Sequence, residues 1–384
     1  MVKTVRILGT HGVPAAYGGF ETAAQHVALH LVEHGWRVVV YCQIPGTGPV
    51  TTDTWHGIER VLVPIPTEGW LGTSRFDLRT VRHATREAAR HDELCLTFGY
   101  NTAIFNVWQR LRGVVNVINM DGIEWSRSRW GPFRQAILWT NDRIACVVGN
   151  ELIADHPEIE KYLLGHAKAS KVSTITYGGP TVLDAPTEPV RALGLEPGKY
   201  VSLIARPIPE NFLLELVEGF SARERGVRLA VLGNIGNSDP YHRALRAAAS
   251  DEVSFLGAVY EPETVQALRF HSLAYLHGHT VGGTNPSLVE ALGAGNPVLA
   301  HDNPYNRWTA GDAGLWFRTA TDVDDRLTAL LADPDARSAL SAAARARHAA
   351  EFTWDYVAGQ YEQLLERAMS RGATRSPRLA EATP

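Results

Sequence analysis

The sequence predicts an α/β protein that contains two doubly wound parallel sheets. Short apolar runs alternate with helical stretches, which is typical of βαβ units. The alternation stops at the Pro- and Gly-rich residues 178–198 and then restarts, so we expect two Rossmann-like domains that face each other across a cleft. The predicted strands are 4–8, 37–42, 94–98, 114–118 and 144–149, then 200–205, 228–233, 253–256, 273–276 and 297–300.

The composition is that of a globular protein. The chain has 384 residues, of which 45% are hydrophobic, and this length is sufficient for two sizeable cores. The net charge of −4 carries no nucleic-acid signature. Cys42, Cys95 and Cys146 lie too far apart for a zinc or redox motif and are typical of reduced thiols. We therefore expect a cytoplasmic protein without a signal peptide, in which any contact with the inner face of the cell membrane is peripheral.

Residues 277–307 carry the most informative pattern. The strand 273–276 leads into a loop rich in Gly, Thr, Asn, Pro and Ser, then into an apolar helix over 288–294 and a strand over 297–300. Such a helix start directs backbone N–H groups and the positive end of the helix dipole at a ligand, which favours a phosphate. The predicted donors and caps of this loop are Gly282, Gly283, Thr284, Asn285 and Ser287.

Glu290 lies about one turn into that helix, where its carboxylate could accept from ribose hydroxyls. In the alternative interpretation, this segment is an ordinary αβ connection whose Gly and Asn residues serve only the turn. It explains less well the polar side chains that gather at the strand ends, where ligands of open α/β sheets bind. These side chains are His277, His279, His301, Asp302, Asn303 and Asn306.

Two further loops follow predicted strands. Gly18 and Gly19 precede a helix predicted over 21–33 and allow close approach of backbone to a ligand, although any tight turn could use them. Arg206 ends the strand 200–205 and either pairs with Glu210 or binds a diphosphate, and we favour the diphosphate. The first loop lacks Gly-x-Gly-x-x-Gly, which disfavours a nicotinamide dehydrogenase.

Asp121 follows a predicted strand within Asn119-Met120-Asp121-Gly122. It either forms a turn before Gly122 or accepts the proton of an acceptor hydroxyl. Glu124 is a second candidate for that role.

Arginines form one face of a helix predicted over 78–90. Arg79, Arg82, Arg86 and Arg90 have helical spacing, and Arg127 and Arg129 lie near Trp125 and Trp130. The arginines could bind anionic headgroups or a lipid-linked acceptor, or they could form a solvated face.

No metal site is expected. The Asp-x-Asp strings at Asp322 and Asp324 and at Asp333 and Asp335 fall at predicted helix starts, where Asp is an ordinary cap.

Three of these segments carry a family resemblance. They are Gly9-Thr-His-Gly-Val-Pro-Ala-Ala-Tyr-Gly-Gly-Phe-Glu-Thr22, Asn119-Met-Asp-Gly-Ile-Glu-Trp125 and His277-Gly-His-Thr-Val-Gly-Gly-Thr-Asn-Pro-Ser-Leu288. The chain resembles glycosyltransferase family 4, which has the two-domain GT-B fold, and within it the bacterial rhamnosyltransferase-like enzymes of capsule and cell-wall polysaccharide assembly. The family usually has Glu-x7-Glu, and here Glu290 is the second glutamate while Gly282 takes the place of the first. Asn211 stands where many relatives have Lys.

The resemblance implies a metal-independent, retaining transfer of a hexose or deoxyhexose, with rhamnose favoured, from a dTDP- or UDP-linked donor to a lipid-linked glycan, without a cofactor. It implies that Arg206 and Glu290 contact the donor and that Asp121 and Arg206 are catalytic. His279 could bond the donor sugar or the leaving phosphate, or it could be a structural histidine. The implied domains are 1–180 for the acceptor, a linker 181–198, 199–352 for the donor, a helix 353–370 that crosses back, and a disordered tail 371–384. A nucleotide-sugar 2-epimerase-type isomerase and a non-catalytic nucleotide-sugar-binding subunit remain as alternatives.

Overall fold

A computed structural model describes residues 2–16, 18–67, 69–91, 93–127 and 130–373. They form two compact units. The first contains the chain up to Thr176 and again from Trp354 onwards, and the second contains Tyr177–Thr353. Residues 181–198, predicted as a linker, lie within the second unit, where Glu188–Ala192 forms a short helix. Arg129 and residues 374–384 of the predicted tail lie outside the described residues.

The first unit contains an eight-stranded sheet in the order β3-β4-β2-β1-β5-β6-β7-β8. Among the described pairs of strands, only β3 and β4 are antiparallel. Its core includes Tyr41, Val63, Phe76 and Cys95. The strands are β1 Thr4–Leu8, β2 Arg37–Pro45, β3 Thr51–Trp55, β4 Ile58–Ile65, β5 Leu94–Phe98, β6 Asn116–Asn119, β7 Glu151–Ala154 and β8 Val172–Thr174, and the helices are α1 Gly19–Glu33, α2 Gly69–His91, α3 Val107–Leu111, α4 Pro132–Val148 and α5 Pro157–Leu164.

Two features of the first unit differ from the sequence prediction. The hairpin of β3 and β4 was not predicted. It turns at His56 and Gly57, whose φ angles of 47° and 80° suit the two-residue turns of hairpins. The predicted strand 144–149 is wrong, because α4 runs to Val148 and β7 begins at Glu151. A short apolar run fits a buried helix face as well as a strand.

The second unit contains a six-stranded, all-parallel sheet in the order β11-β10-β9-β12-β13-β14. Leu203, Leu216, Phe220, Leu229 and Leu276 belong to its core. The strands are β9 Tyr200–Ile204, β10 Arg228–Leu232, β11 Val253–Gly257, β12 Tyr275–His277, β13 Val298–His301 and β14 Gly314–Phe317, and the helices are α6 Glu188–Ala192, α7 Leu213–Ser221, α8 Pro240–Ala248, α9 Pro262–Phe270, α10 Pro286–Gly293, α11 Pro304–Ala310, α12 Ala320–Ala332 and α13 Pro334–Glu351.

The last helix, α14 Trp354–Ala373, belongs to the first unit. The buried hydroxyl of Tyr361 accepts a hydrogen bond from Asn119 Nδ2 at 2.6 Å, and Arg371 Nη1 lies 2.6 Å from Glu151 Oε1. The helix therefore contacts residues at both ends of the sheet's strands. None of the helices that the structure describes is long and apolar enough to cross a membrane.

Gly9 follows β1 and lies against the end of the neighbouring strand β5. Its φ of 79° lies in the left-handed region, and a Cβ at this position would collide with the carbonyl oxygen of Phe98. Gly35, after α1, has the same φ of 79°, but a Cβ there would meet nothing within 4 Å. Substitutions at the two positions therefore distinguish the cost of a left-handed backbone, which both share, from the cost of a steric collision, which only Gly9 has.

We predict that Gly9→Ala destabilises the first unit by several kcal/mol, because it adds a collision with backbone to the cost of a left-handed alanine. The control Gly35→Ala should cost only about 1–2 kcal/mol. Urea unfolding monitored by tryptophan fluorescence measures both. Equal losses in the two variants would contradict the close approach of Gly9 to β5.

Candidate functional site

A cavity of about 720 Å³ lies in the second unit, at the carboxyl ends of β9, β10, β11 and β12. This edge is where open α/β sheets bind ligands. Five of the residues predicted to bind the donor line it: Arg206, His279, Asn285, Ser287 and Glu290. The other lining residues include Asp239, His242, Val259, Tyr260 and Arg269, which the sequence analysis did not identify.

Glu290 on α10 is held by Arg269 on α9. Arg269 Nη2 lies 2.6 Å from Glu290 Oε2, and the guanidinium is only 6% exposed, whereas the carboxylate is 27% exposed. The ion pair therefore has a buried cation and a carboxylate that reaches the cavity. A buried charge of this kind is stable only while its partner is present.

The same guanidinium anchors the start of α10. Arg269 Nη2 also donates to Ser287 Oγ at 3.1 Å, and Ser287 Oγ lies 2.7 Å from the hydroxyl of Tyr275. That hydroxyl donates to the carbonyl oxygen of Ile204 at 3.1 Å. Burial raises the pKa of Tyr275 to about 12, so it remains a donor. The network fixes the start of α10 against the end of β9 and the first residue of β12.

The loop after β9 presents Arg206 to the cavity, and Arg206 is exposed. Asn211 is buried, and its side-chain amide donates to the carbonyl oxygen of Arg206 at 2.8 Å. A Cβ on Gly278 would collide with the carbonyl oxygen of Asn211, so the loops after β9 and β12 touch. Asn211 thus holds the loop that carries Arg206.

The loop before α10 has a helix cap. Asn285 Oδ1 accepts from the backbone N–H of Ser287 at 3.0 Å. Gly282 has a φ of 123°, a conformation that glycine adopts readily. Gly282, Gly283 and Thr284 lie in this loop, but they are not among the described residues that line the cavity.

The polar residues at the ends of β12 and β13 have divided roles. His279 lines the cavity and stacks on His277, with ring centroids 4.7 Å apart. Burial, followed by the neighbouring His279 and His301, holds the pKa of His277 well below its ordinary value, so this ring is neutral. The buried ring of His277 therefore supports His279 by stacking.

Asn303 and Asn306 brace the backbone. Each side-chain amide donates to the carbonyl oxygen of His279 at 2.9 Å. Asp302 pairs with Arg307 and, at 3.0 Å, with Arg318. These three side chains therefore have structural partners, and their predicted part in binding a ligand stays a prediction.

The first unit has a smaller cavity of about 290 Å³ at the carboxyl ends of β1 and β5. Gly18, Gly19 and His11 line it. Gly18 precedes α1 in extended backbone and Gly19 begins the helix. Glu21 is buried and accepts from the backbone N–H of His11 at 2.8 Å, which closes this loop onto α1.

Asp77 on α2 also lines this cavity, and the sequence analysis did not identify it. Burial raises its pKa to about 6, and a 2.8 Å hydrogen bond from Thr102 Oγ1 offsets part of that shift. Helical spacing places Asp77 with the buried residues Thr80, Val81 and Ala84, so this signal was present in the sequence.

Asp121 lies after β6 with a φ of 53°, a left-handed conformation that is uncommon for residues other than glycine. Its N–H donates to Asn119 Oδ1 at 2.9 Å. The hydroxyl of Tyr100 accepts from the N–H of Glu124 at 2.8 Å and donates to the carbonyl oxygen of Gly122 at 3.3 Å. The loop that carries Asp121 is therefore fixed from several sides.

Glu124 is a structural partner. It is buried, its Oε2 lies 2.6 Å from Arg127 Nε, and its Oε1 accepts from Trp130 Nε1 at 2.9 Å. Trp125 Nε1 donates to the hydroxyl of Tyr162 at 3.0 Å. Glu124 and Arg127 are thus occupied by each other, which disfavours the predicted role of either in binding an acceptor or a membrane.

The arginines of α2 form an exposed face. Arg79, Arg82 and Arg86 are exposed, and Arg79 Nη1 donates to the carbonyl oxygen of Pro64 at 2.7 Å. The exposed side chains of Trp70 and Leu71 lie at the start of the same helix.

The two Asp-x-Asp strings serve helix starts and ion pairs. Asp322 completes the capping box of α12, and Asp333 caps α13 by accepting from the N–H of Ala336 at 2.9 Å. Asp324 pairs with Arg223 and Arg225 at 2.6 and 2.8 Å. The expected cap role is confirmed for Asp322 and Asp333.

Asp77 gives the stability of the first unit a defined pH dependence. Its pKa in the folded state, about 6, exceeds the ordinary 3.8, so the folded state retains a proton that the unfolded chain releases. This contribution is present at about pH 4 and is lost as the pH rises through 6. We predict that Asp77→Asn, which can still accept from Thr102, is more stable than the natural protein at pH 7.5 by up to about 3 kcal/mol.

Urea unfolding at pH 4.5 and pH 7.5 measures this difference. Asp53→Asn is the control, because Asp53 is exposed and paired with Arg60, which lowers its pKa, so its replacement should bring no gain at pH 7.5. A loss of stability in Asp77→Asn that is the same at both pH values would contradict the assignment.

Comparisons with known families divide the chain in two. Residues 2–180 match a family model described as a domain of unknown function, DUF1972. Residues 210–363 match a model described as glycosyl transferase-like. No curated protein sequence matches the chain significantly.

Solved structures match almost the whole chain. Sucrose-phosphate synthase from Thermosynechococcus elongatus is similar with a TM-score of 0.77 and 18% identity, over 96% of this chain and 100% of that one. HepE of Anabaena in complex with UDP-glucose matches with 0.73 and 14%, over 96% and 100%. The catalytic domain of starch synthase IV from Arabidopsis thaliana, bound to ADP and acarbose, matches with 0.73 and 14%, over 96% and 100%.

These neighbours confirm the predicted fold: two Rossmann-like units of the GT-B type. Together with the glycosyl transferase-like match, they support a glycosyltransferase with the GT-B fold.

Proposed function

We propose that the protein is a retaining glycosyltransferase that moves a hexose or deoxyhexose from a nucleoside-diphosphate donor to a glycan. One observation carries the proposal. The carboxylate of Glu290, fixed by the buried Arg269, and the exposed guanidinium of Arg206 line the same cavity at the carboxyl edge of a parallel sheet. A carboxylate can accept from the hydroxyls of a ribose, and a guanidinium binds phosphates well, so the two groups together suit a nucleotide.

The donor nucleotide is assigned to the second unit. Oε2 of Glu290 is engaged by Arg269, and we assign Oε1 to the ribose hydroxyls. Tyr260 is 80% exposed and lines the cavity beside Val259, where its ring offers a stacking face for the base. HepE has been solved with UDP and with UDP-glucose, and the starch synthase domain with ADP, which supports a nucleoside-diphosphate donor.

Arg206 is assigned to the diphosphate. The loop 206–211 supplies one cation, since Asn211 replaces lysine, and Asn211 instead holds the backbone of Arg206. The capped start of α10 adds backbone N–H groups and the positive end of its dipole. His279, at the same cavity, is assigned to the donor sugar or the leaving phosphate.

The reaction we propose breaks the bond between the anomeric carbon and the diphosphate oxygen. The acceptor hydroxyl attacks the same face of the sugar and gives its proton to the departing diphosphate, so the anomeric configuration is retained. The protein mainly stabilises the negative charge that develops on the leaving group, a task for Arg206 and the helix start. No metal ion is needed for this step. Asp121 is proposed to orient the acceptor hydroxyl, and its left-handed backbone is the kind of strain that collects at functional sites.

The acceptor is proposed to be a lipid-linked glycan. The sugar transferred to it from the donor is proposed to be rhamnose. The resemblance to the rhamnosyltransferase-like enzymes supports the sugar. The exposed Arg79, Arg82 and Arg86, on the same helix as the exposed Trp70 and Leu71, support a peripheral contact with an anionic membrane surface.

Transfer from a panel of dTDP- and UDP-linked sugars to polyprenyl diphosphate-linked glycans tests this function directly. We predict turnover that persists in excess EDTA and a product with the anomeric configuration of the donor, read by NMR. Asp121→Asn should reduce transfer more than it weakens donor binding. Loss of transfer on chelation, with rescue by Mg²⁺ or Mn²⁺, would contradict the metal-free step. Epimer formed without acceptor would identify an isomerase instead, and binding without turnover would identify a non-catalytic subunit.

We predict that Glu290→Ala weakens binding of the preferred nucleoside diphosphate by about 10- to 100-fold, because charge-assisted hydrogen bonds to the ribose are lost. Isothermal titration calorimetry measures the affinity. Since Arg269 loses its partner in this variant, Glu290→Gln is tested beside it, and circular dichroism verifies that both variants fold. Glu263→Ala on α9 is the matched control, because Glu263 is exposed and is not among the cavity residues. Unchanged affinity in both Glu290 variants would remove Glu290 from the nucleotide site.

A further inference from the structure

His30 near the end of α1, His34 just after that helix and Glu362 of α14 converge within the first unit. His30 Nε2 lies 2.9 Å from Glu362 Oε2, and the rings of His30 and His34 stack with centroids 4.0 Å apart. One nitrogen or oxygen atom from each of the three residues lies within 4.8 Å of the others. None of the three lines the cavity that contains Gly18 and Gly19.

The spacing of the three residues suits a transition metal. Histidines four residues apart lie on one helix face, an arrangement that pairs them on zinc in other proteins. Zinc bonds of about 2.0–2.2 Å in a tetrahedral shell place ligand atoms about 3.3 Å apart. To bind one ion, the 2.9 Å contact of His30 and Glu362 opens by a few tenths of an ångström, and the ligand atoms that lie as far as 4.8 Å apart move closer by rotation of their side chains.

Neighbouring groups orient two of these ligands. His34 Nδ1 lies 2.8 Å from the carbonyl oxygen of His30. A carbonyl can only accept, so Nδ1 carries the proton and the lone pair of Nε2 is available for a metal. Trp36 Nε1 donates to Glu362 Oε1 at 3.0 Å, which turns Oε2 towards His30. Supporting hydrogen bonds of this kind are typical around metal ligands.

We propose that His30, His34 and Glu362 form a Zn²⁺ site with water as the fourth ligand. Imidazole and carboxylate ligands fit Zn²⁺. The site joins the C-terminal helix α14 to α1. It is separate from the proposed glycosyl transfer, which uses other residues.

The consequence concerns the loop of Asp121. Tyr361 precedes Glu362 on α14 and accepts from Asn119, whose Oδ1 in turn accepts from the N–H of Asp121. A metal that fixes Glu362 therefore stabilises the contact between α14 and the end of β6. Bound Zn²⁺ should raise the thermal stability of the first unit by binding its folded state.

Calorimetric titration of the EDTA-treated full chain with ZnCl₂ tests the site. We expect one equivalent to bind, a rise in Tm, and, with Co²⁺ in place of Zn²⁺, visible absorption typical of a four-coordinate ion. His34→Ala should lower the affinity at least tenfold. His34 is exposed, and its loss leaves the contact of His30 with Glu362 in place, so the variant should fold. Glu362→Gln should weaken binding similarly, whereas the control His91→Ala, at the exposed end of α2, should bind as the natural chain does.

Equal Zn²⁺ affinity in the natural chain and in His34→Ala, or no saturable binding by the natural chain, would overturn the site. Transfer activity separates this proposal from the preceding one. Below the Tm of the metal-free protein, chelation should leave glycosyl transfer unchanged while it lowers the Tm.

Discussion

The candidate donor site depends on one buried cation. Arg269 contacts both Glu290 and Ser287 of α10, and Ser287 contacts Tyr275, which bonds to the end of β9. A guanidinium that is 6% exposed is costly to bury unless its partners stay in place. This requirement fixes the direction of the Glu290 carboxylate before any ligand arrives, and such preorganisation lowers the cost of binding.

Asn211 and Gly282, the two residues at which this chain differs from the family that it resembles, both have structural roles near this site. Asn211 cannot supply the charge of a lysine, but its amide holds the backbone of Arg206. Gly282, at the place of the first family glutamate, has a φ of 123° that a glutamate would rarely adopt. The loop therefore has a backbone conformation at position 282 that suits the glycine found there. In the proposed donor site, the positive potential for a diphosphate comes from Arg206 and the start of α10.

The sequence predicted the architecture because periodicity and turn residues are local signals. Those signals predicted the loops and the helix start at which Arg206, Asn285 and Glu290 lie. The role of Arg269 could not be predicted, because nothing in Leu268-Arg269-Phe270 indicates that its partner, Glu290, lies on the next helix. The burial of Asp77 could have been predicted from its helical spacing with the apolar residues of α2. The structural hydrogen bonds of other polar residues at strand ends, such as Asn303, could not be predicted, because a side chain that supports the backbone looks the same in sequence as one that binds a ligand.

The central claim is that the second-unit cavity binds a nucleoside diphosphate through Glu290 and Arg206. A crystal structure of the full chain with dTDP or UDP measures this most directly. The account predicts ribose hydroxyls within hydrogen-bonding distance of Glu290, with Arg269 still paired to it, and diphosphate oxygens at Arg206 and the start of α10. A nucleotide bound elsewhere, or bound here with its ribose turned away from Glu290, would contradict it.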